Sequence, residues 1–521
     1  MGPGFRLLLA VILIALIGSV SVVQAGPNPV EPEDQLLIQI WLPDPVKDVV
    51  VMAEGPLLPL AHEPGEPSYL LARMSPGDID WLKGSGYSFE VIDRDAAGAS
   101  YCMEDMRAPG RVVLEAAREV LRTDDRVLWR LPAETGPSDC TGWAWMLHPI
   151  RLIPRRAPEI PSDIGPLPFV QDILGMIDLP HMMAYAEELS GAAPAIIYGD
   201  PYTITTRYTT SGVPIAKAID YMIERLERLD LPVSTHTWDV TKPPNIIAEK
   251  AGRSQEAGIY IICAHLDSRA RGYPHDPAPG ADDNGSGSVA VLAAAEVLAP
   301  YTFDATIRFI LFTGEEQGLY GSRAYANMVQ DEDIRAVLNM DMIAWDSVGG
   351  PEMDLHARDT VPGSLDMATL FADVVSAYGL NLTPQIIPNG VPASDHSPFW
   401  DEGFPAILAI EDYFGTGDFN AYYHTVNDKT IYYNQAFFDQ MVKGSIATFG
   451  HLVGPPVASY WADLSYDGKV TVEDIMMTSR RWGAEMGQWN YHVVYDIDRN
   501  GVVDAVDIQL IATEWGWTEN P

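Results

Sequence analysis

The stretch TIRFILFTGEEQGLYGS, Thr306 to Ser322, decides how the rest of the chain is read. An apolar, β-branched run ends in a glycine-rich turn that sets Glu315 and Glu316 side by side. NIIAEK from Asn245, GIYIICAH from Gly258 and IRAVLNMDMIAW from Ile334 have the same texture. Runs this continuously apolar suit strands of a parallel sheet covered on both faces. Upstream, Ile215, Ile219, Met222, Ile223 and Leu226 recur at helical spacing. The expected fold is therefore α/β, a mixed, mostly parallel sheet sandwiched by helices, in which ligands collect at the C-terminal ends of strands.

At 521 residues the chain is too long for one ordinary domain. Lys and Arg total 33 against 72 Asp and Glu, a net charge of -39, which argues against nucleic acid or an anionic membrane as partner. The N-terminus reads MGPGFRLLLAVILIALIGSVSVVQAG, with Arg6, an apolar run from Leu7 and a small-residue site at Val23-Gln24-Ala25. Residues 1–25 are read as a signal peptide, an uncleaved anchor being the alternative, so the protein is expected to be secreted, periplasmic or at the cell surface. Of three cysteines, Cys102 and Cys140 are the two that an oxidising compartment would allow to pair, while Cys263 lies within a strand-like run.

Residues 26–160 alternate strand-like and short helical pieces and read as a small α+β module, with Ser75-Pro76-Gly77-Asp78 opening one helix. The Pro/Arg-rich stretch His148 to Pro168 reads as a linker or cleavable junction before a central domain over 165–455. From about residue 460 to 521 a third texture begins, an internal duplication of ADLSYDGKVTVEDIMM and YDIDRNGVVDAVDIQL.

Five places in the central domain set potential metal ligands at strand ends or in loops. His265 in CAHLDS is followed by Asp267, which alternation would put on the same side and whose carboxylate would fix the imidazole tautomer. Asp283 lies in PGADDNGSG before an Ala/Val/Leu-rich helical stretch, where the helix dipole favours an acid, and Asp282 should point elsewhere. Side chains of Glu315 and Glu316 diverge, so one can bind metal while the other carries a proton for the substrate. Asp341 ends AVLNMDM, and His424 lies in AYYHTVNDK. Two imidazoles and three carboxylates, one shared, would give each of two zinc ions nitrogen and oxygen ligands with a position left for water. Taken singly, each is more often a surface or turn residue; the joint pattern in strand-end context changes that, and His275 and His356 lack the context.

At AHLDS, PGADDNGSG, FTGEEQGLYGS, LNMDMIAW, SDHSPF and YYHTVND the chain resembles the secreted di-zinc aminopeptidases of the bacterial leucyl aminopeptidase type, over about residues 185 to 440. The resemblance implies that His265 and Asp341 bind one zinc, Glu316 and His424 the other, and Asp283 bridges them. Glu315 would be the general base, Asp267 would orient His265, and Tyr423 would donate a hydrogen bond to the tetrahedral intermediate. Asp395 and His396 match no ligand and are read as wall residues. The implied reaction is hydrolysis at peptide or protein N-termini. Relatives that act as carboxypeptidases or glutaminyl cyclases, and a silent binding protein on the same scaffold, are the alternatives. The N-terminal module resembles the pro-region or accessory segment of some secreted peptidases.

In the duplicated module, oxygen-bearing residues fall at positions 1, 3, 5, 9 and 12 of a twelve-residue calcium loop, with Gly468 and Gly501 at the sharp turn. They are Asp463, Ser465, Asp467, Thr471 and Asp474, then Asp496, Asp498, Asn500, Asp504 and Asp507. These loops resemble the dockerin family, which implies two calcium ions and a cohesin-type partner. The small hydroxyl residues that many dockerins carry at positions 10 and 11 are absent here.

Overall fold

The computed structural model describes residues 35–518 apart from 44–51, 53–56, 64–67, 106–116, 124–125, 133–143, 149, 151–154, 162–163, 272–276, 413–417, 458–460, 466–467 and 487–490. The signal peptide and the expectations for Cys140, His275 and Asp467 fall outside the described residues. Cys102 is disulfide-bonded, and Cys263 is free and buried. No helix among the described residues is long and apolar enough to cross a membrane.

The N-terminal region is two four-stranded antiparallel sheets. One orders its strands Leu57–Glu63, Tyr69–Met74, Leu36–Trp41 and Phe89–Asp93; the other orders Arg118–Arg122, Arg126–Arg130, Tyr101–Asp105 and Ala144–Met146. The helix expected after Ser75 is Ile79–Ser85, preceded by a 3-10 turn at Pro76–Asp78. Ser75 does not cap it through a main-chain amide; its hydroxyl donates to Asp78 Oδ2 at 2.8 Å instead. The stretch read as a linker is partly packed down: Arg155 Nε donates to the Glu402 carbonyl at 3.1 Å, and its guanidinium lies 4.6 Å from the centre of the Phe404 ring.

The central region is built on one eight-stranded sheet. Its strands, in chain order, are β1 (Val233–His236), β2 (Asn245–Lys250), β3 (Ile259–His265), β4 (Thr306–Phe312), β5 (Ile334–Met340), β6 (Glu352–His356), β7 (Thr383–Ile387) and β8 (Ala406–Glu411). They lie side by side as β1-β2-β4-β3-β5-β8-β6-β7. The middle of the sheet, β4-β3-β5-β8, is parallel, and antiparallel pairs join it to the flanks. The helices are α1 (Pro168–Met176), α2 (Leu179–Leu189), α3 (Val213–Glu227), α4 (Gly287–Leu298), α5 (Tyr320–Met328), α6 (Ser364–Tyr378), α7 (Ser397–Asp401) and α8 (Gln435–Val453).

Both faces of the middle strands are covered, which is why their sequences are apolar through most of their length rather than alternating. Ile262, Ala264, Phe309 and Leu338 join the larger core with α4, α6 and α8, while Ile261, Cys263, Ile310 and Val337 join a smaller one with Tyr325 of α5 and Phe399 of α7. In the C-terminal module each loop is followed by one helix, α9 (Val472–Ser479) and α10 (Ala505–Thr513), packed around Leu464, Val470, Val503 and Ile511.

Candidate metal centre

Because β4, β3 and β5 run parallel as neighbours, their C-terminal ends open on one edge. His265 is the last residue of β3, Asp341 directly follows β5, and the turn holding Glu315 and Glu316 follows β4. Asp283 lies in the turn Ala281–Ser286 that feeds α4; at φ -102° and ψ 92° it is not helical, so its carboxyl leaves the helix axis. His424, in the loop after β8, has a left-handed φ of 55°, and its carbonyl accepts from Arg271 N at 3.1 Å. Such a φ in a side chain of this size is strained and persists only where its surroundings impose it.

These elements bring together all five expected ligands. His265 Nε2 is 3.2 Å from Asp341 Oδ1 and 3.3 Å from Asp283 Oδ1. His424 Nε2 is 2.9 Å from Glu316 Oε2 and 3.1 Å from Asp283 Oδ2. Asp283 therefore turns one oxygen to each histidine. The two trios, His265-Asp283-Asp341 and Asp283-Glu316-His424, each converge within 4.8 Å. Glu316 Oε1 is buried and accepts no hydrogen bond, an arrangement that costs free energy unless a cation serves as its partner. Two imidazole nitrogens with three carboxylates, one facing both ways, fit a pair of zinc ions.

Glu315 joins neither trio; its Oε2 lies 3.9 Å from His265 Nε2. Burial pushes its carboxyl well above the usual range against the pull of His265, and Glu316, Asp341 and Asp395 add to the rise. Asp283 goes the other way, because the hydrogen bonds and charges of His265 and His424 outweigh its burial. His424 rises to about 9, with Glu316 and Asp283 overcoming its burial.

Asp267 departs from its expected role. β3 stops at His265, so strand alternation does not carry on to Asp267, whose carboxylate oxygen stays 3.9 Å from His265 Nδ1. The main-chain carbonyl of Asp267 is the nearer partner of that nitrogen, at 3.1 Å. Its carboxylate instead accepts from Glu315 N at 3.3 Å, Glu316 N at 3.4 Å and Thr209 Oγ1 at 2.7 Å. One acid thus sets the tautomer of His265 through its backbone and holds the glutamate turn through its side chain.

Other supports escaped the sequence reading. Ser394 Oγ donates to Asp341 Oδ2 at 2.6 Å, which leaves Oδ1 facing His265, and Asn339 Nδ2 holds Ser394 at 2.8 Å. Asp428 receives the amides of Asp282 and Asp283 on its two oxygens, at 3.0 and 2.9 Å. Asp282 points away, as expected, to Ala344 N at 2.9 Å and Asn420 Nδ2 at 2.8 Å, and burial with the Asp282 charge pushes Glu411 far up. Arg207 is fully buried, and its guanidinium donates only to main-chain carbonyls. Ser394 lies within SDHSPF and Asp428 ends YYHTVND, so both were within reach; Arg207 and Glu411 carry no local signal.

Tyr423 stacks on His424 with centroids 3.7 Å apart and packs beside Phe419, Met342 and Val391. Asp395 is buried near the centre, and burial pushes it up to about 7. His396 is buried, with Nε2 3.0 Å from the Val391 carbonyl and its ring edge-on to Trp400, so it is a wall residue. His356 stands in β6 with Nδ1 accepting from Val391 N at 3.2 Å, outside the centre.

In the second C-terminal loop the carboxylates of Asp496, Asp498 and Asp507 converge within 4.8 Å. Asn500 Nδ2 lies 3.1 Å from Asp498 Oδ2, whereas Asp504 caps α10 through Val506 N at 2.7 Å. In the first loop Ser465 Oγ is 3.3 Å from Asp463 Oδ1, and no such trio forms among the described residues. There Thr471 caps α9, and Asp474 closes the loop by accepting Ser465 N at 2.9 Å and Thr471 N at 2.7 Å.

A probable leucine aminopeptidase of Arthroderma otae is 33% identical over 208 residues, covering 38% of this chain and 54% of that protein. Aminopeptidase Y of Saccharomyces cerevisiae is 32% identical over 169 residues, covering 32% and 29%. The chain thus spans about half or less of the length of these curated relatives. The LapA aminopeptidase of Legionella pneumophila superimposes with a TM-score of 0.52 at 18% identity over 68% of this chain and 99% of that one, a likeness of fold. Residues 245–448, the segment that carries all five converging ligands, match the model of Peptidase family M28.

Proposed function

We propose that the chain is a secreted zinc aminopeptidase that hydrolyses the N-terminal peptide bond of peptides. The observation that carries this reading is Asp283, buried between two histidines with one oxygen toward each. In it, His265 and Asp341 would hold one zinc, Glu316 and His424 the other, and Asp283 would serve both. The metals, when bound, supply Lewis acidity toward the peptide carbonyl and acidify water. Glu315, beside the centre but outside both ligand sets, accepts a proton from the attacking water and returns it to the leaving amine. Asp267 holds the two glutamate amides and so keeps base and ligand apart. Tyr423, fixed against His424, donates to the carbonyl oxygen as charge develops there.

The test compares release of the first residue from free and N-acetylated peptides, with Glu315→Gln alongside. Acetylation is expected to abolish release, and the variant to lose at least about 100-fold in kcat. Equal rates on blocked peptides would contradict the aminopeptidase reading, and release from the C-terminus would favour the carboxypeptidase alternative.

The second reading concerns the C-terminal module, whose converging acids at Asp496, Asp498 and Asp507 suit a calcium ion. Calcium is expected to raise its melting temperature and a chelator to lower it; identical melting curves would remove calcium from the account.

A further inference from the structure

Arg207 has the largest side chain fully buried in the described residues, and a buried guanidinium needs a reason. Among the described residues it forms no ion pair. Its donors meet four carbonyls: Nε reaches Leu266 O at 2.7 Å, Nη1 reaches Leu189 O at 2.9 Å and Pro279 O at 2.7 Å, and Nη2 reaches Gly280 O at 2.7 Å. Leu266 lies between His265 and Asp267, and Pro279-Gly280 lead into the turn that carries Asp283. Leu189 is the last residue of α2, whose carbonyl end favours a cation. The backbone of Arg207 is fixed as well, since its amide donates to Ser268 Oγ at 3.1 Å and Ser268 N donates back to its carbonyl at 3.3 Å.

There is little slack in the loop that Arg207 grips. Gly280 has a φ of 50°, and a Cβ there would stand 2.4 Å from both Asp283 O and Ser268 Cβ. The carbonyl of Gly280, on the guanidinium, also accepts Gly285 N at 2.9 Å. Burial pulls the guanidinium below its ordinary value, and the carboxyls of Asp428, Asp283 and Asp267 oppose that at longer range.

We propose that Arg207 is a positioning residue for the metal centre: its planar fork fixes the strand end bearing His265 relative to the loop bearing Asp283, and its buried charge offsets the acids gathered there. It touches neither substrate nor metal, and it lies outside the segment 245–448. A fork with fixed donor directions can serve carbonyls from three separate segments at once; an ammonium cannot match that geometry. This proposal rests on the two-zinc reading above.

The experiment measures zinc stoichiometry and dissociation constants by chelator competition on the full chain, for wild type, Arg207→Lys and Arg207→Met. Val374→Ala, a core truncation in α6, serves as a control for destabilisation alone. Zinc affinity is expected to fall about 10- to 100-fold in both Arg207 variants, further in Met than in Lys, and to stay at the wild-type value in the control. Should the Arg207 variants not fold, Ser268→Ala takes their place, with a smaller loss in the same direction. Wild type binding two zinc ions, with the variants binding them as tightly, overturns the role of Arg207. Wild type failing to bind two overturns the reading of the centre itself.

Discussion

At the scale of the residue, Asp341 and His265 each turn one atom to the centre and commit the other elsewhere. Asp341 gives Oδ2 to Ser394, so Ser394→Ala is expected to weaken zinc binding about tenfold with little change in melting temperature, as read by chelator competition. Asp267→Asn is expected to act on the glutamates rather than on His265. Its carboxylate holds the amides of Glu315 and Glu316, while His265 sees only its carbonyl. The measurable result is a fall of about 10- to 100-fold in kcat per bound metal, beside any loss of zinc through Glu316; a loss of zinc with kcat per bound metal unchanged would contradict it. This division of labour was not legible in HLD, because the two-residue period of a strand holds only while the strand lasts, and β3 ends at His265.

At the scale of the element, the sheet was legible and its clamps were not. Asn245, Ile259, Thr306 and Ile334 begin the strands that their apolar runs announced, and α4 follows Asp283 as its composition implied. Hydrophobic periodicity reports which residues are buried. It is silent on Asp428 and Arg207, which hold main-chain groups far away in sequence, because those partners have no side-chain identity to read. Asn245 is another such clamp: buried at the start of β2, it accepts Thr313 N at 2.9 Å and donates to Gly321 O at 2.9 Å, tying the end of β4 to α5 around the glutamate turn. A Cβ on Gly321 would stand 2.1 Å from Thr313 O and 2.3 Å from Asn245 Oδ1. Gly321→Ala is therefore expected to destabilise the protein by about 1–3 kcal/mol in urea denaturation and to lower activity with it.

At the scale of the whole molecule, the C-terminal module is seated on the central one. His492 is buried with Nε2 3.1 Å from the Val297 carbonyl near the end of α4 and Nδ1 accepting from Val494 N at 3.2 Å, its ring edge-on to Tyr301. Burial holds this imidazole at about 3, below its ordinary 6.5, with Arg481 adding to the fall and the Val297 carbonyl opposing it. Tyr491, Tyr495, His181 and Glu296 line the same seam. A depressed folded-state value means that the neutral form is the docked one. Its contribution is present above about pH 6.5 and is lost as pH falls toward about 3. Hydrogen exchange at residues 491–497, corrected for intrinsic rates, is expected to rise across that window in wild type and less steeply in His492→Gln. The central claim is that Asp283 holds two metals between two histidines, and zinc counted per folded chain tests it most directly. Wild type is expected to carry two, His265→Ala and His424→Ala one each, and Asp283→Ala almost none; a wild type saturating at one zinc, or an Asp283→Ala variant keeping two, contradicts the account.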